Sequence, residues 1–196
     1  MLKRVICLTL AVLVSSALLS RAAGNAANAQ SSNRRINGTV VGISGRLAGR
    51  SLPFSLIVTR YASESDVREL TGAMSRGEDE LLRSLEHMEA GRISVGNNVG
   101  VTANAIIAQP WENGTKLTVL FARNVNFYEL RYGARSADYK FGYAELFLDR
   151  NGHGQGTLIP AARVRLRNGN TWEVEDFGVY PARLMGLRAS GQVTPG

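Results

Sequence analysis

The sequence predicts an α+β domain that is mainly β: eight or nine antiparallel strands in a barrel-like or sandwich sheet, with a two-helix insertion after the second strand. Three observations carry this. β-branched or alternating runs recur along the chain with Gly, Pro or Asn-Gly between them. One stretch alone, residues 63–92, changes to helical spacing. Nearly every other connection is short, as a meander of hairpins requires. So many strands in one sheet curl into a barrel or split into two layers. A barrel with the helices over one opening or one face is the expected form.

The start of the chain is read apart from that domain. Lys3 and Arg4 precede an apolar run, "VICLTLAVLVSSALL" (5–19), and then small residues that include Ala27-Asn28-Ala29. These zones make residues 1–29 an expected secretory signal cut after Ala29. A membrane-spanning helix needs about 20 apolar residues, more than this run supplies. The expected location is therefore outside the cytoplasm, in the periplasm or secreted. The only cysteine, Cys7, would leave with the signal, which removes thiol nucleophiles and thiolate metal sites. Residues 30–36, "QSSNRRI", read as a flexible leader, 37–190 as a single β-rich domain and 191–196 as a flexible tail.

Within the domain, "NGTVVGISG" (37–45) and "LPFSLIVTRY" (52–61) are the first two strands. The spacing of 63–92 predicts a helix at about 64–73 and a second at about 77–90. Ser63 and Asp66 form a capping-box pattern with Asp in place of Glu. Leu81, Leu82, Leu85 and Met88 make the apolar stripe expected to pack on the sheet. Glu78, Asp79 and Glu80 complement the helix dipole in the first turn, and Gly91 stands where the helix should stop.

"VGVTANAIIAQPW" (99–111) and "KLTVLFA" (116–122) are strands joined by the turn "ENGT" (112–115). In "VNFYELRY" (125–132), Tyr128, Leu130 and Tyr132 alternate with Glu129 and Arg131, the period of a half-buried strand. The last predicted strands, 143–149, 158–167 and 171–177, can be placed in register. A two-residue loop at Asn168-Gly169 would set Val164 against Glu173. A three-residue loop, Asn168-Gly169-Asn170, instead sets Leu166 on Trp172, Val164 on Val174, Arg165 on Glu173 and Arg163 on Glu175, so both faces agree. For the preceding hairpin, pairing Leu148 with Leu158 and Phe147 with Ile159 leaves "RNGHGQG" (150–156) as the connection.

That connection resembles a calcium loop only in part. Asp149, Asn151 and Gly154 fit the first, third and sixth places of an EF-hand loop, but His153 and Pro160 fall where oxygen ligands belong. A turn is the better reading, and no metal or other cofactor is expected. His87 and His153 are the only histidines, too few for the usual zinc sets.

Catalytic patterns are scarce. No nucleophile elbow and no phosphate-binding loop occur. The candidates for a carboxylate pair are Glu129, Glu145, Asp149 and the group Glu173, Glu175 and Asp176. The charge falls from +7 to +4 once Lys3, Arg4 and Arg21 are removed, with arginines dispersed among acids. Nucleic-acid binding shows clustered basic residues with aromatics, so no nucleic-acid partner is expected. No membrane span is expected in the mature chain.

The densest polar-aromatic stretch is "RSADYKFGYAEL" (135–146). Arg135, Asp138, Tyr139 and Tyr143 are the candidate ligand-binding residues, with Lys140 among them, because tyrosine offers both apolar area and a hydroxyl. The plainer alternative is a loop plugged by aromatics. The expected function is non-catalytic binding of a small ligand or a protein partner. The alternatives are a carrier of an apolar ligand inside a barrel and a hydrolase built on a carboxylate pair.

"RSADYKFGYAELFLD", "GQGTLIPAARV" and "VEDFGVYPARLMGL" resemble segments shared among uncharacterised secreted bacterial proteins of about this length. The resemblance spans the β-rich portion and the helical insertion and implies a bacterial, exported protein. It brings no activity, ligand or catalytic residue with it.

Overall fold

The computed structural model describes residues 34–42, 49–97, 99–122, 140–167, 171–176 and 181–190. Among these residues, ten strands and two helices follow in the order β1 (Arg34–Val41), β2 (Ser51–Val58), α1 (Glu64–Arg76), α2 (Glu78–Glu86), β3 (Gly91–Val95), β4 (Val101–Ala103), β5 (Ala105–Trp111), β6 (Gly114–Phe121), β7 (Phe141–Asp149), β8 (His153–Arg167), β9 (Thr171–Asp176) and β10 (Ala182–Ser190).

Nine strands form one antiparallel path, β4-β3-β2-β1-β10-β8-β7-β6-β5, and β9 pairs with β8. The two ends of that path, β4 and β5, are separated in the chain by Asn104 alone. The sheet therefore curls until its ends meet in a nearly closed barrel. The predicted fold class holds, including the two helices after the second strand.

The interior is filled by one side of every barrel strand. Ile36, Leu56, Ile93, Ile106, Leu117, Val119, Phe121, Ala144 and Leu146 have no accessible surface and, with the buried Phe54, belong to one contiguous cluster. A barrel of about eight strands is just wide enough for side chains to fill.

The outer side of β5–β8 carries a second cluster. Ala105 pairs with Leu120, Leu120 with Tyr143 and Tyr143 with Ile159, a row of outward side chains across four strands. Leu70 and Met74 of α1 and Leu81 and Leu85 of α2 cover this row. The helices lie over one face. The Leu81/Leu85 stripe packs as its spacing predicts, with Leu82 and Met88 at its margin.

Ser63 caps α1 as the sequence predicts. Its hydroxyl accepts from Asp66 N at 3.1 Å, and Asp66 Oδ2 accepts from Ser63 N at 2.8 Å. Arg60 adds an ion pair to Asp66 at 2.8 Å. The Asp66 carboxyl is held below its ordinary range, chiefly by the backbone hydrogen bond from Ser63.

Several boundaries differ from expectation. β1 begins at Arg34, so the end of the expected leader is strand, and Ile36 is fully buried. α2 ends at Glu86, and Gly91 opens β3, a strand the sequence reading missed. A Cβ at Gly91 would stand 2.1 Å from the Ile57 carbonyl oxygen, so this glycine permits close strand approach and does not stop a helix. The expected strand 99–111 is two strands broken at Asn104. β10 is a further strand not placed by the sequence.

The two hairpins around β8 give opposite outcomes. Arg163 lies opposite Glu175, Val164 opposite Val174, Arg165 opposite Glu173, Leu166 opposite Trp172 and Arg167 opposite Thr171, the register read from the sequence. The loop 168–170 lies outside the described residues. In the β7–β8 hairpin, Leu148 lies opposite Gly154 and Ala144 opposite Leu158, four residues from the expected pairing. Gly154, Gln155 and Gly156 belong to β8. A Cβ at Gly154 would lie 1.8 Å from the Phe147 carbonyl oxygen, and one at Gly156 2.1 Å from that of Glu145. These glycines let two backbones touch. The turn itself is shorter and is organised by Asp149, whose Oδ1 accepts from Asn151 N at 2.8 Å and His153 N at 2.9 Å.

Candidate functional site

The junction of α1 and α2 borders a groove of roughly 880 Å³. Gly77, with φ 126°, separates the two helices and turns the first residues of α2 toward the sheet. Lys140 at the start of β7 and Arg163 on β8 form the opposite wall. Met74 and Val164 supply its apolar floor.

The acids of the first turn of α2 meet these cations. Arg163 Nε donates to Glu78 Oε1 at 2.8 Å. Lys140 Nζ pairs with Asp79, and Arg83 with Glu80 one turn along the helix. The hydrogen bond from Lys140 holds the Asp79 carboxyl below the usual carboxylate range. Ser75 donates its hydroxyl to the Gly72 carbonyl at 2.7 Å. The groove thus presents alternating fixed charges. Glu78, Asp79 and Glu80 each carry a cation, and the hydroxyl of Ser75 is bonded within α1.

One buried polar side chain fastens the groove's helices to the sheet. Asn104 Nδ2 donates to the carbonyls of Leu85 at 2.9 Å and Met88 at 3.1 Å, and its Oδ1 accepts from Ala122 N at 2.7 Å. This ties the end of α2 to the end of β6 at the point where β4 passes into β5. Its amide thus serves the Met88 carbonyl and the Ala122 N–H, and adds a second donor to the Leu85 carbonyl, which also accepts from Met88 N at 2.9 Å. Nothing in "VGVTANAIIAQPW" marks Asn104 apart from other polar strand residues, so sequence reasoning missed it.

Of the candidate ligand residues, Arg135, Asp138 and Tyr139 lie outside the described residues. Tyr143 is described and stands on the outer side of β7, where α1 and α2 cover most of it. Its hydroxyl donates to Glu145 Oε1 at 2.5 Å. Burial, reinforced by the adjacent Glu145 carboxylate, pushes the Tyr143 hydroxyl well above the ordinary tyrosine value. Lys116 Nζ pairs with the same Glu145 oxygen at 2.6 Å. Tyr143 is therefore held at the border of the helix-covered cluster. Lys140, from the same stretch, reaches the groove.

Other candidates separate. Among the paired-carboxylate candidates, Glu129 and the side chains of Glu173, Glu175 and Asp176 lie outside the described residues, Glu145 is bound by Lys116 and Tyr143, and Asp149 shapes a turn. His87 caps α2 and is exposed, and His153 opens β8. Among the described residues, no group of three or more His, Asp or Glu gathers as a metal site would require. No helix among them is long and apolar enough to cross a membrane. Comparison with protein-family models, with curated proteins and with solved structures gives no match.

Proposed function

We propose that the chain is an exported bacterial domain that works by non-catalytic binding, with the groove between α1, α2 and β8 as its ligand seat. The observation that carries this reading is the pairing of Glu78, Asp79 and Glu80 with cations in a groove large enough for a small molecule. General acid–base work needs a carboxyl tuned toward neutrality, and Asp79 is moved the other way. A ligand bearing both charges fits best. It replaces one ion pair with another on each side, whereas a singly charged ligand leaves a stranded partner.

The packed interior weighs against the carrier alternative, since Phe54, Phe121 and Leu117 occupy the space an apolar ligand would need. Of the acids a carboxylate-pair hydrolase would draw on, Glu145 is held by Lys116 and Tyr143, and Asp149 by the turn it shapes.

Native mass spectrometry of protein purified gently from its own host tests the proposal. The expected result is a reproducible added mass, lost on denaturation and lost in the double substitution Lys140→Ala/Arg163→Ala. A bare mass for the parent chain, or an added mass that survives the double substitution, sinks the groove as the seat.

A further inference from the structure

The outer side of β5–β8 continues past the edge of the helices, and there it is bare. Gln109 lies opposite Lys116, Lys116 opposite Phe147 and Phe147 opposite Gln155, one row across four strands. Trp111 ends β5 beside this row, 44 % exposed, with its ring 5.0 Å from that of Phe147 and inclined at 59°. Lys116 Nζ stands 5.7 Å from the Phe147 ring while paired with Glu145 at 2.6 Å.

We propose that this strip binds a neutral carbohydrate chain, with a sugar ring against Trp111 and Phe147 and its hydroxyls on Gln109, Gln155, Lys116 and Glu145. Three features select that partner. The exposed Trp111 ring and the half-buried Phe147 ring beside it accept the C–H face of a sugar ring, an apolar body with a polar rim. The charges within the strip cancel in the Lys116–Glu145 pair, so an ionic partner gains no net attraction while an uncharged polyol loses nothing. The flanking amides each offer a donor and an acceptor, as a hydroxyl requires. A protein partner fits less well. A stable interface covers about 800 Å² on each side, and one part-exposed Trp with one half-buried Phe supplies a small share of that.

The strip is separate from the groove, so the two can be tested apart. Cellohexaose and maltoheptaose, neutral chains of opposite linkage, are titrated into the purified full chain by calorimetry at low and high salt. The expected result is saturation by at least one sugar, with a dissociation constant between about 10 μM and about 1 mM. Salt should not change it, because screening acts on charges. Trp111→Ala should weaken binding about tenfold or more with Tm unchanged. Gln155→Ala, also exposed, should weaken it less, and Arg163→Ala in the groove should leave it unaltered. The proposal is overturned by an absence of saturation for both sugars up to about 10 mM. It is equally overturned if Trp111→Ala binds as the parent does, or if only a charged chain such as polygalacturonate binds and salt abolishes it.

Discussion

The outer surface of β5–β8 is one sheet face with two halves that live under different rules. The half at Ala105, Leu120, Tyr143 and Ile159 is roofed by α1 and α2 and behaves as core. The half at Gln109, Lys116, Phe147 and Gln155 is open and carries amides, an ion pair and aromatic rings. The backbone is continuous between them. What changes is whether a helix has been laid on top. A strand face need not be uniformly apolar to belong to a core, and the polarity of its side chains marks where the roof ends.

Breaking the roofed half should have the largest effect. Leu81→Ala or Leu120→Ala should cost about 2–5 kcal/mol by urea unfolding, from lost burial and the cavity left behind. Gln109→Ala on the open half should stay within about 0.5 kcal/mol. Equal losses would mean the halves do not differ. Asn104→Ala removes the side-chain partner of the Met88 carbonyl and of the Ala122 N–H and should cost about 2–3 kcal/mol. Asn104→Asp should cost more near neutrality, because a carboxylate then faces the Leu85 and Met88 carbonyls.

The roof can also be loosened from its cap. Ser63→Ala should cost about 1 kcal/mol. Because the Asp66 carboxyl titrates lower in the folded chain than its usual value of 3.8, its share of stability is present above that value. Acid denaturation should show that share disappearing below pH 3.8. At the border, Tyr143→Phe should cost about 0.5–1.5 kcal/mol at neutral pH. Folding holds the Tyr143 proton more tightly than the unfolded chain does, so stability is intact below pH 10.0 and falls above it. The Phe variant should show a flatter alkaline limb. Lys116→Met on the open half should change stability by less than about 1 kcal/mol, since the pair is only partly shielded.

The two hairpins show what a sequence can and cannot specify. At β8–β9 the competing registers differed by one residue, which exchanges the two faces, so Val164 and Trp172 decided between them. At β7–β8 the misplacement was four residues. An even slip leaves every side chain on its own face, so the alternation at Leu146 and Leu148 is blind to it. Gly154 and Gly156 looked like turn residues because glycine serves turns and close approach alike, and only the neighbouring carbonyls distinguish the two. The Leu81/Leu85 stripe and the Ser63–Asp66 box were legible because they are local. The groove was not. Lys140 and Asp79 lie 61 residues apart, and Arg163 and Glu78 85 apart, so their meeting depends on the whole topology. Glu78, Asp79 and Glu80 were read for the helix dipole, and the cations across the groove are the part that reading could not contain.

The first and last strands of the barrel are neighbours, with Arg35 opposite Ser190 and Val41 opposite Arg183. A ribosome delivers β1 first and β10 last. Until β10 arrives, β1 has one paired edge and one bare edge, and the ring stays an open ribbon. Closure is thus tied to the arrival of β10, and a chain that lacks it carries an unsatisfied strand edge at β1. Joining the paired ends of β1 and β10 by a short linker and cutting the chain at a hairpin would move that dependence to a different strand.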